Sequence, residues 1–277
     1  MEIDENTKII GRFHSVASPR GLNIYNPLFE ELGINALYIL FYDPDPKKLF
    51  DGLRQLKLSG AVTVGFETDP RLAKLVDKFD ATSKYMKRVG FVTNNNGILT
   101  GHVQSGEAMY KTVSKAMNPE GKKLVIVGAG NVAKCMLFYI SGLKKKPSEV
   151  EIYNRDVAKA KKLVKDFKFV KEVGSLSDLQ NAKGDIIANV TQMGGSQPDD
   201  VFTSNVVKNF KAVADVTFET ENTNLIKLAK KLKKKYSTGW DMFTYQGQIV
   251  LETILGQKIS AEVLRKHVVK GLSQVVK

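Results

Sequence analysis

The chain has 277 residues, 43% of them hydrophobic, and a formal net charge of +13. That apolar content suffices for two packed domains and excludes a disordered chain, and no apolar run approaches the ~20 residues that cross a bilayer. One cysteine, Cys135, excludes an internal disulfide and a cysteine-based metal cluster.

The opening residues, Met1-Glu-Ile-Asp-Glu-Asn, are polar and acidic and read as neither signal nor transit peptide, so a cytoplasmic protein is expected. Lys8 to Gly11 reads as a short strand, and Leu28 to Leu32 as helix closed by Gly33. Ala36 to Phe41 is predicted as a strand, ended by Asp43-Pro44-Asp45-Pro46. Lys47 to Leu56 follows as a helix with Leu49, Phe50, Leu53 and Leu56 on one face. Gly60 to Val64 reads as a strand and Lys74 to Phe79 as helix. Asn94-Asn95-Asn96-Gly97 is hairpin chemistry between Gly90 to Thr93 and Ile98 to His102.

From Glu107 a helix is expected to about Met117, then strand Lys123 to Val127, a glycine turn, and a helix from Asn131 to Leu143 holding a buried Cys135. Val150 to Tyr153, Asp185 to Asn189 and Ala212 to Asp215 are further strands, the last two joined by a loop; Ala158 to Phe167 and Asn224 to Lys234 are helices. The β-α-β order implies a mostly parallel sheet with right-handed crossovers. Gln246 to Leu255 and Ala261 to Val276 read as closing helices. The fold class expected is α/β: an N-terminal α/β substrate domain over 1–106, completed by 246–277, and a Rossmann-type doubly wound domain over 107–245.

The lysine runs at 144–146, 161–162, 230–231 and 233–235 are scattered and lack interleaved aromatics. They read as solvated helix faces, with nucleic acid not expected as a partner.

Lys123-Leu-Val-Ile-Val127 leads into Gly128-Ala129-Gly130-Asn131-Val132-Ala133, a Gly-x-Gly-x-x-Ala opening a helix after an apolar strand. Gly128 permits the tight turn, Gly130 lets a pyrophosphate approach the backbone, and Ala133 lets helix pack on strand. The N–H groups at the helix start then face the diphosphate. The next strand ends in Asn154-Arg155-Asp156, with Lys159 beyond. Arg155 and Lys159 can hold a 2′-phosphate, whereas Asp156 repels one. NADP is the cofactor expected, with NAD the alternative.

Read together with the rest of the chain, these residues resemble the shikimate dehydrogenase family, particularly its shikimate dehydrogenase-like branch, over nearly the whole length. Asn189-Val-Thr191-Gln-Met-Gly194 is similar to the segment that family places beside the nicotinamide. His14-Ser15-Val-Ala-Ser18-Pro19 is similar to its substrate loop with one residue inserted. Ala61-Val-Thr63-Val-Gly-Phe-Glu67 aligns with its Asn-Val-Thr-x-Pro-Phe-Lys, and Gly239 with Tyr245-Gln246-Gly247 resembles its late glycine and glutamine segment. The resemblance implies an oxidoreductase of the kind that serves aromatic amino acid biosynthesis, with hydride passing between nicotinamide and a small hydroxylated substrate in a cleft between domains. It implies Ser15, Ser18, Thr63 and Gln246 as substrate contacts, and Thr191 and Gly239 as cofactor contacts.

The departures fall on the chemistry. Glu67 stands where the family has its catalytic lysine, Ser105 where it has the partner aspartate, Gly90 near a substrate-binding asparagine, and Phe218 at a tyrosine. Glu67 and Ser105 are therefore the candidate catalytic positions, with ordinary shikimate oxidation expected to be weak or absent. Buried beside apolar groups, Glu67 can serve as a general base; exposed, it is only a helix-start residue ahead of Thr68, Asp69 and Pro70. His14 can carry a proton or contact an anion near the cleft. His102 is expected to face solvent and His267 to lie on a helix surface. No spacing suggests a metal. Two functions stay open: an NADP-dependent dehydrogenase acting on a small hydroxy compound, and a catalytically impaired dinucleotide-binding sensor or regulator. The chain is expected to be a monomer or homodimer and not to bind a membrane.

Overall fold

The computed structural model describes residues 3–14, 21–66 and 69–274. The chain divides into two compact units, Met1–Gln104 with Gln246–Lys277, and Ser105–Tyr245. Both are α/β, and the second is a Rossmann-type doubly wound sheet, as the element order implies.

The first unit begins with β1 (Lys8–His14), α1 (Leu22–Glu31), β2 (Ala36–Tyr42), α2 (Pro46–Gln55) and β3 (Gly60–Val64). It continues with β4 (Lys78–Phe79), α3 (Ala81–Met86), β5 (Phe91–Asn95) and β6 (Ile98–His102). The strands lie in the order β2-β1-β3-β5-β6-β4. Strand β1 runs three residues past the expected end at Gly11, pairing parallel with β2 and β3 through to His14. One face of β1 sends Phe13 into a cluster with Leu49, Phe50 and Leu53 of α2. Each such side chain contributes roughly 1.5–3 kcal/mol on burial.

One expectation fails here. Lys74 to Phe79 is not a helix: a 3-10 turn at Leu72–Lys74 gives way to β4. Asp77 pulls the chain out of helical geometry, because its N–H donates to the Leu99 carbonyl at 2.9 Å and its carboxylate accepts from the Leu99 N–H at 2.7 Å. Asp80 then caps α3, a helix the periodicity did not show. The hairpin stands where the Asn-Gly pair places it, with Asn96 at φ 50° and Gly97 at φ 87°.

The second unit contains α4 (Ser105–Ala116), β7 (Lys123–Val127), α5 (Asn131–Ser141), β8 (Glu149–Tyr153), α6 (Val157–Val164) and β9 (Val170–Gly174). There follow β10 (Ile186–Asn189), α7 (Ser204–Val207), β11 (Ala212–Asp215), α8 (Asn224–Lys231) and β12 (Lys235–Ser237). All six strands run parallel in the order β12-β11-β10-β7-β8-β9. Numbered from β7, that is the 3-2-1-4-5-6 order of a dinucleotide fold, with its topological switch between β7 and β10. Strands β9 and β12 and helix α7 were not expected. The stretch between β10 and β11, expected as loop, carries α7 because Thr203 caps it by accepting from the Val206 N–H.

Helix α9 (Gly239–Leu255) starts seven residues before the expected Gln246, and its residues from Gln246 onward belong with the first unit, as does α10 (Ala261–Ser273). There Ile254 of α9 lies against Gly60 and Ile24 of α1 against Gly271. Cys135 is buried. Among the described residues, no helix is long and apolar enough to cross a membrane.

Candidate functional site

Strand β7 is apolar throughout its buried part, as a central parallel strand covered on both faces must be. It delivers the chain to the switch point, where ligands of such sheets bind outside the carboxyl ends of the strands. Gly128 turns there at φ +118°, and a Cβ on it would come within 2.6 Å of Thr191 Cγ2 and 3.2 Å of Val190 Cγ2. Only glycine fits. Its N–H donates to the Tyr153 carbonyl at 2.8 Å.

Gly130 differs in kind. Its backbone is extended, it is exposed, and a Cβ on it would meet nothing within 4 Å. The open side of this residue faces the start of α5, which has no side-chain cap. By contrast α2, α3, α6, α8 and α10 are capped by Asp45, Asp80, Asp156, Thr223 and Ser260. The first bond of α5 runs from the Lys134 N–H to the Gly130 carbonyl at 3.0 Å, so no side chain caps the N–H groups of Asn131, Val132 and Ala133. Ala133 is buried against the sheet. An open glycine at an uncapped, positively polarised helix start suits a pyrophosphate.

Two expected contacts are supports instead. The Ala129 N–H donates to Asn154 Oδ1 at 3.1 Å and is therefore not available to a phosphate. Asn154 Nδ2 donates to the Asp156 carbonyl at 2.8 Å, so Asn154 ties the end of β8 to the glycine turn. Asp156 also proves less of an obstacle than its charge suggests. Its carboxylate accepts from the Lys159 N–H at 2.9 Å as the cap of α6. Arg155 and Lys159 are exposed and form no ion pair with any described residue.

On the other side of the switch, Thr191 faces inward. Its hydroxyl donates to Asn189 Oδ1 at 2.7 Å and accepts from the Met193 N–H at 3.0 Å, and its methyl lies over Gly128. It shapes the loop with its polar atoms already engaged. Behind it lies a group that sequence reasoning missed, Asp215, 1% exposed at the end of β11. Its Oδ1 accepts from Asn189 Nδ2 at 3.0 Å and from the Thr217 N–H at 3.0 Å; its Oδ2 accepts from the Thr223 hydroxyl at 2.7 Å. Burial pushes its pKa above the usual carboxylate value, against the pull of those hydrogen bonds. A carboxylate closing an apolar strand was the available signal. Gly239 is likewise a packing residue: a Cβ on it would come within 1.8 Å of the Thr217 carbonyl oxygen.

In the first unit, Thr63 is 1% exposed and its hydroxyl donates to the Val89 and Gly90 carbonyls at 2.9 and 3.0 Å. With its one proton engaged, it can meet a ligand only as an acceptor. Gln246 is half-buried and its side chain has no hydrogen bond to a described residue. Ser105, in the second unit, opens α4 and is half-buried. Ser15, Ser18 and Glu67 lie outside the described residues. The structure thus brings Gly128, Ala129, Gly130, Asn154 and Thr191 together around one turn, with Arg155 and Lys159 beside it.

Two of the histidines differ from expectation. His102 does not face solvent: its Nδ1 lies 3.1 Å from Asp80 Oδ2, its Nε2 3.0 Å from the Thr93 hydroxyl, and its ring stacks on Phe91. His267 is nearly buried and its Nε2 lies 2.7 Å from Glu31 Oε2. His14 is 2% exposed beneath the Tyr42 ring.

The family model described as Shikimate / quinate 5-dehydrogenase matches residues 111–214. A shikimate dehydrogenase (NADP(+)) of Pyrococcus abyssi is 26% identical over 245 residues, covering 88% of this chain and 90% of its own. A solved shikimate 5-dehydrogenase of Listeria monocytogenes, in complex with shikimate and NAD, superposes with a TM-score of 0.81 at 23% identity, covering 96% and 98% of the two chains. A shikimate dehydrogenase solved with NADP+ superposes with a TM-score of 0.81 at 24% identity over 98% of each chain. The resemblance to this family extends over nearly the whole chain, and the fold is shared throughout.

Proposed function

We propose that this chain, a relative of the shikimate dehydrogenases, is an NADP-dependent oxidoreductase acting on a small hydroxylated compound. The observation that carries the reading is the switch-point turn. Gly128 is closed to any side chain, Gly130 is open to a ligand, and the helix start beyond them has no cap. The choice of NADP rests on Arg155 and Lys159, two exposed cations without ion-pair partners among the described residues, beside an aspartate already engaged as a helix cap. A 2′-phosphate there gains charge-assisted hydrogen bonds that NAD cannot offer.

When bound, the nicotinamide supplies the hydride acceptor. Asn154 holds the turn, and the Asn189–Thr191 loop is held against it by the Asp215 network. Oxidation of a secondary hydroxyl releases a proton, which a carboxylate at Glu67 can take where the family has a lysine. Ser105 in place of an aspartate leaves that proton transfer poorly supported. Each positioned acid or base is worth about 10²–10⁴ in rate, so turnover of shikimate is expected to be weak. The same two replacements favour a second reading, a protein that binds the dinucleotide and does no chemistry. Incubating the chain with NADP+ and a set of hydroxy acids and polyols, while following reduced-cofactor absorbance, separates the two. Reduction with one of them supports the enzyme; tight NADP+ binding with no reduction by any supports the sensor.

A further inference from the structure

Strand β1 carries one charge in an apolar run, Ile9-Ile10-Gly11-Arg12-Phe13. Phe13 faces the α2 cluster, so Arg12 projects to the opposite face of the sheet, the face shared by Ile10 and by its register partner Tyr38. Arg12 is 7% exposed, its Nε is sealed from solvent, and the guanidinium makes no hydrogen bond or ion pair with any described residue. A lone buried charge of this kind is strongly disfavoured, and native proteins supply it with a partner.

Two phenols share its surroundings. Tyr25 of α1 and Tyr38 of β2 are 8% and 2% exposed, their rings meet edge-on at 4.8 Å, and neither hydroxyl has a hydrogen-bond partner among the described residues. Asn26 fixes Tyr38 by bonding its backbone on both sides, at 2.7 and 3.0 Å. The Tyr25 hydroxyl lies beside Gly247, where a Cβ would come within 2.8 Å of it, next in sequence to Gln246. Burial pushes the Tyr25 phenol up to about 12 and raises that of Tyr38, so both are neutral donors at ordinary pH. Among the described residues, Arg12 is the charged group that acts on both. One fixed cation and two neutral donors match a monoanion.

We propose that Arg12, Tyr25 and Tyr38 form an oxyanion subsite in the first unit that takes the carboxylate of a small organic acid. The guanidinium fork meets the two carboxylate oxygens and the phenols donate to their remaining lone pairs. As the anchor of a substrate, the subsite rests on the dehydrogenase reading and narrows the substrate to a hydroxy acid; as an anion site it stands on these three residues.

The test is thermal unfolding of the full chain, without cofactor, in sodium shikimate, sodium acetate, methyl shikimate, inorganic phosphate or sodium chloride at matched ionic strength. The carboxylates are expected to raise Tm progressively with concentration, as ligands of the native state do, and the neutral ester is not. Arg12→Met is expected to abolish that response and to leave the ligand-free Tm unchanged or higher, since it removes an uncompensated buried charge. Tyr25→Phe keeps the ring and is expected to weaken apparent carboxylate binding about three- to ten-fold, which carries the test if Arg12→Met does not fold. The proposal is overturned if no carboxylate protects beyond chloride, if the response persists in Arg12→Met, if Tyr25→Phe leaves it unchanged, or if phosphate alone protects. Carboxylate protection without NADP+ reduction would count against the enzyme reading and leave this subsite standing; reduction without such protection would do the reverse.

Discussion

The methyl group of Thr191 stands over Gly128, so that a Cβ on Gly128 would approach Thr191 Cγ2 to 2.6 Å. Two loops from neighbouring strands, β7 and β10, are thereby closed against each other, and the closure leaves Gly130 as the open point of the turn. Gly128→Ala must both adopt φ +118° and displace that methyl, a loss of about 2–4 kcal/mol in unfolding free energy. Gly130→Ala meets nothing in the protein, so its stability is expected to stay within about 0.5 kcal/mol of wild type. Its NADP+ affinity is expected to fall at least ten-fold. Urea unfolding and NADP+ titration of both variants check this contrast.

Asn154 holds Ala129 and Asp156 at once. Asn154→Ala frees the turn and leaves the Ala129 N–H without its partner, for a loss of about 1–2 kcal/mol. NADP+ and NAD+ affinities are expected to fall by similar factors, because the support lies behind the diphosphate rather than the 2′-phosphate. Parallel titrations of the two dinucleotides read this out.

Asp215 makes stability depend on pH in a direction opposite to a salt-bridged carboxylate. Burial raises its folded pKa above the unfolded value, so in that window the native state binds more protons than the unfolded state. Its contribution is full below the usual carboxylate pKa and is lost as pH rises through the raised folded value. Asp185, held down by Lys211 and the Lys123 N–H, works the other way and loses its contribution as pH falls. Urea unfolding of wild type and Asp215→Asn from pH 3.5 to 7 is expected to show wild type losing ground to the variant as pH rises. Asp215→Ala, which strands the Asn189, Thr217 and Thr223 donors, is expected to cost about 3–5 kcal/mol near neutral pH.

The second unit was readable where strand and motif coincide. The apolar run of β7, its Gly-x-Gly-x-x-Ala and the following strand fix β7, α5 and β8 in order, because a buried parallel strand must be apolar on both faces. The edge strands were not, since β9 exposes Lys171 and Glu172 and β12 exposes Lys235 and Tyr236. Side-chain pattern carries little signal where one face and one edge meet solvent. At the site, glycine positions could be read because their requirement is conformational. The roles of Ala129, Thr191, Thr63 and Gly239 could not, because each depends on a partner distant in sequence. Arg12 was overlooked for the opposite reason. A charge after Gly11 looks like the end of a strand, whereas β1 continues through it.

The central claim is that the turn and its neighbouring cations receive NADP. Calorimetric titration of wild type and Arg155→Ala with NADP+ and NAD+ at fixed salt tests it most directly. Wild type is expected to bind NADP+ at least ten-fold more tightly than NAD+, and Arg155→Ala to lose most of that preference while its NAD+ affinity stays within about two-fold. Failure of wild type to bind either dinucleotide, or a preference unchanged in Arg155→Ala, would contradict the account.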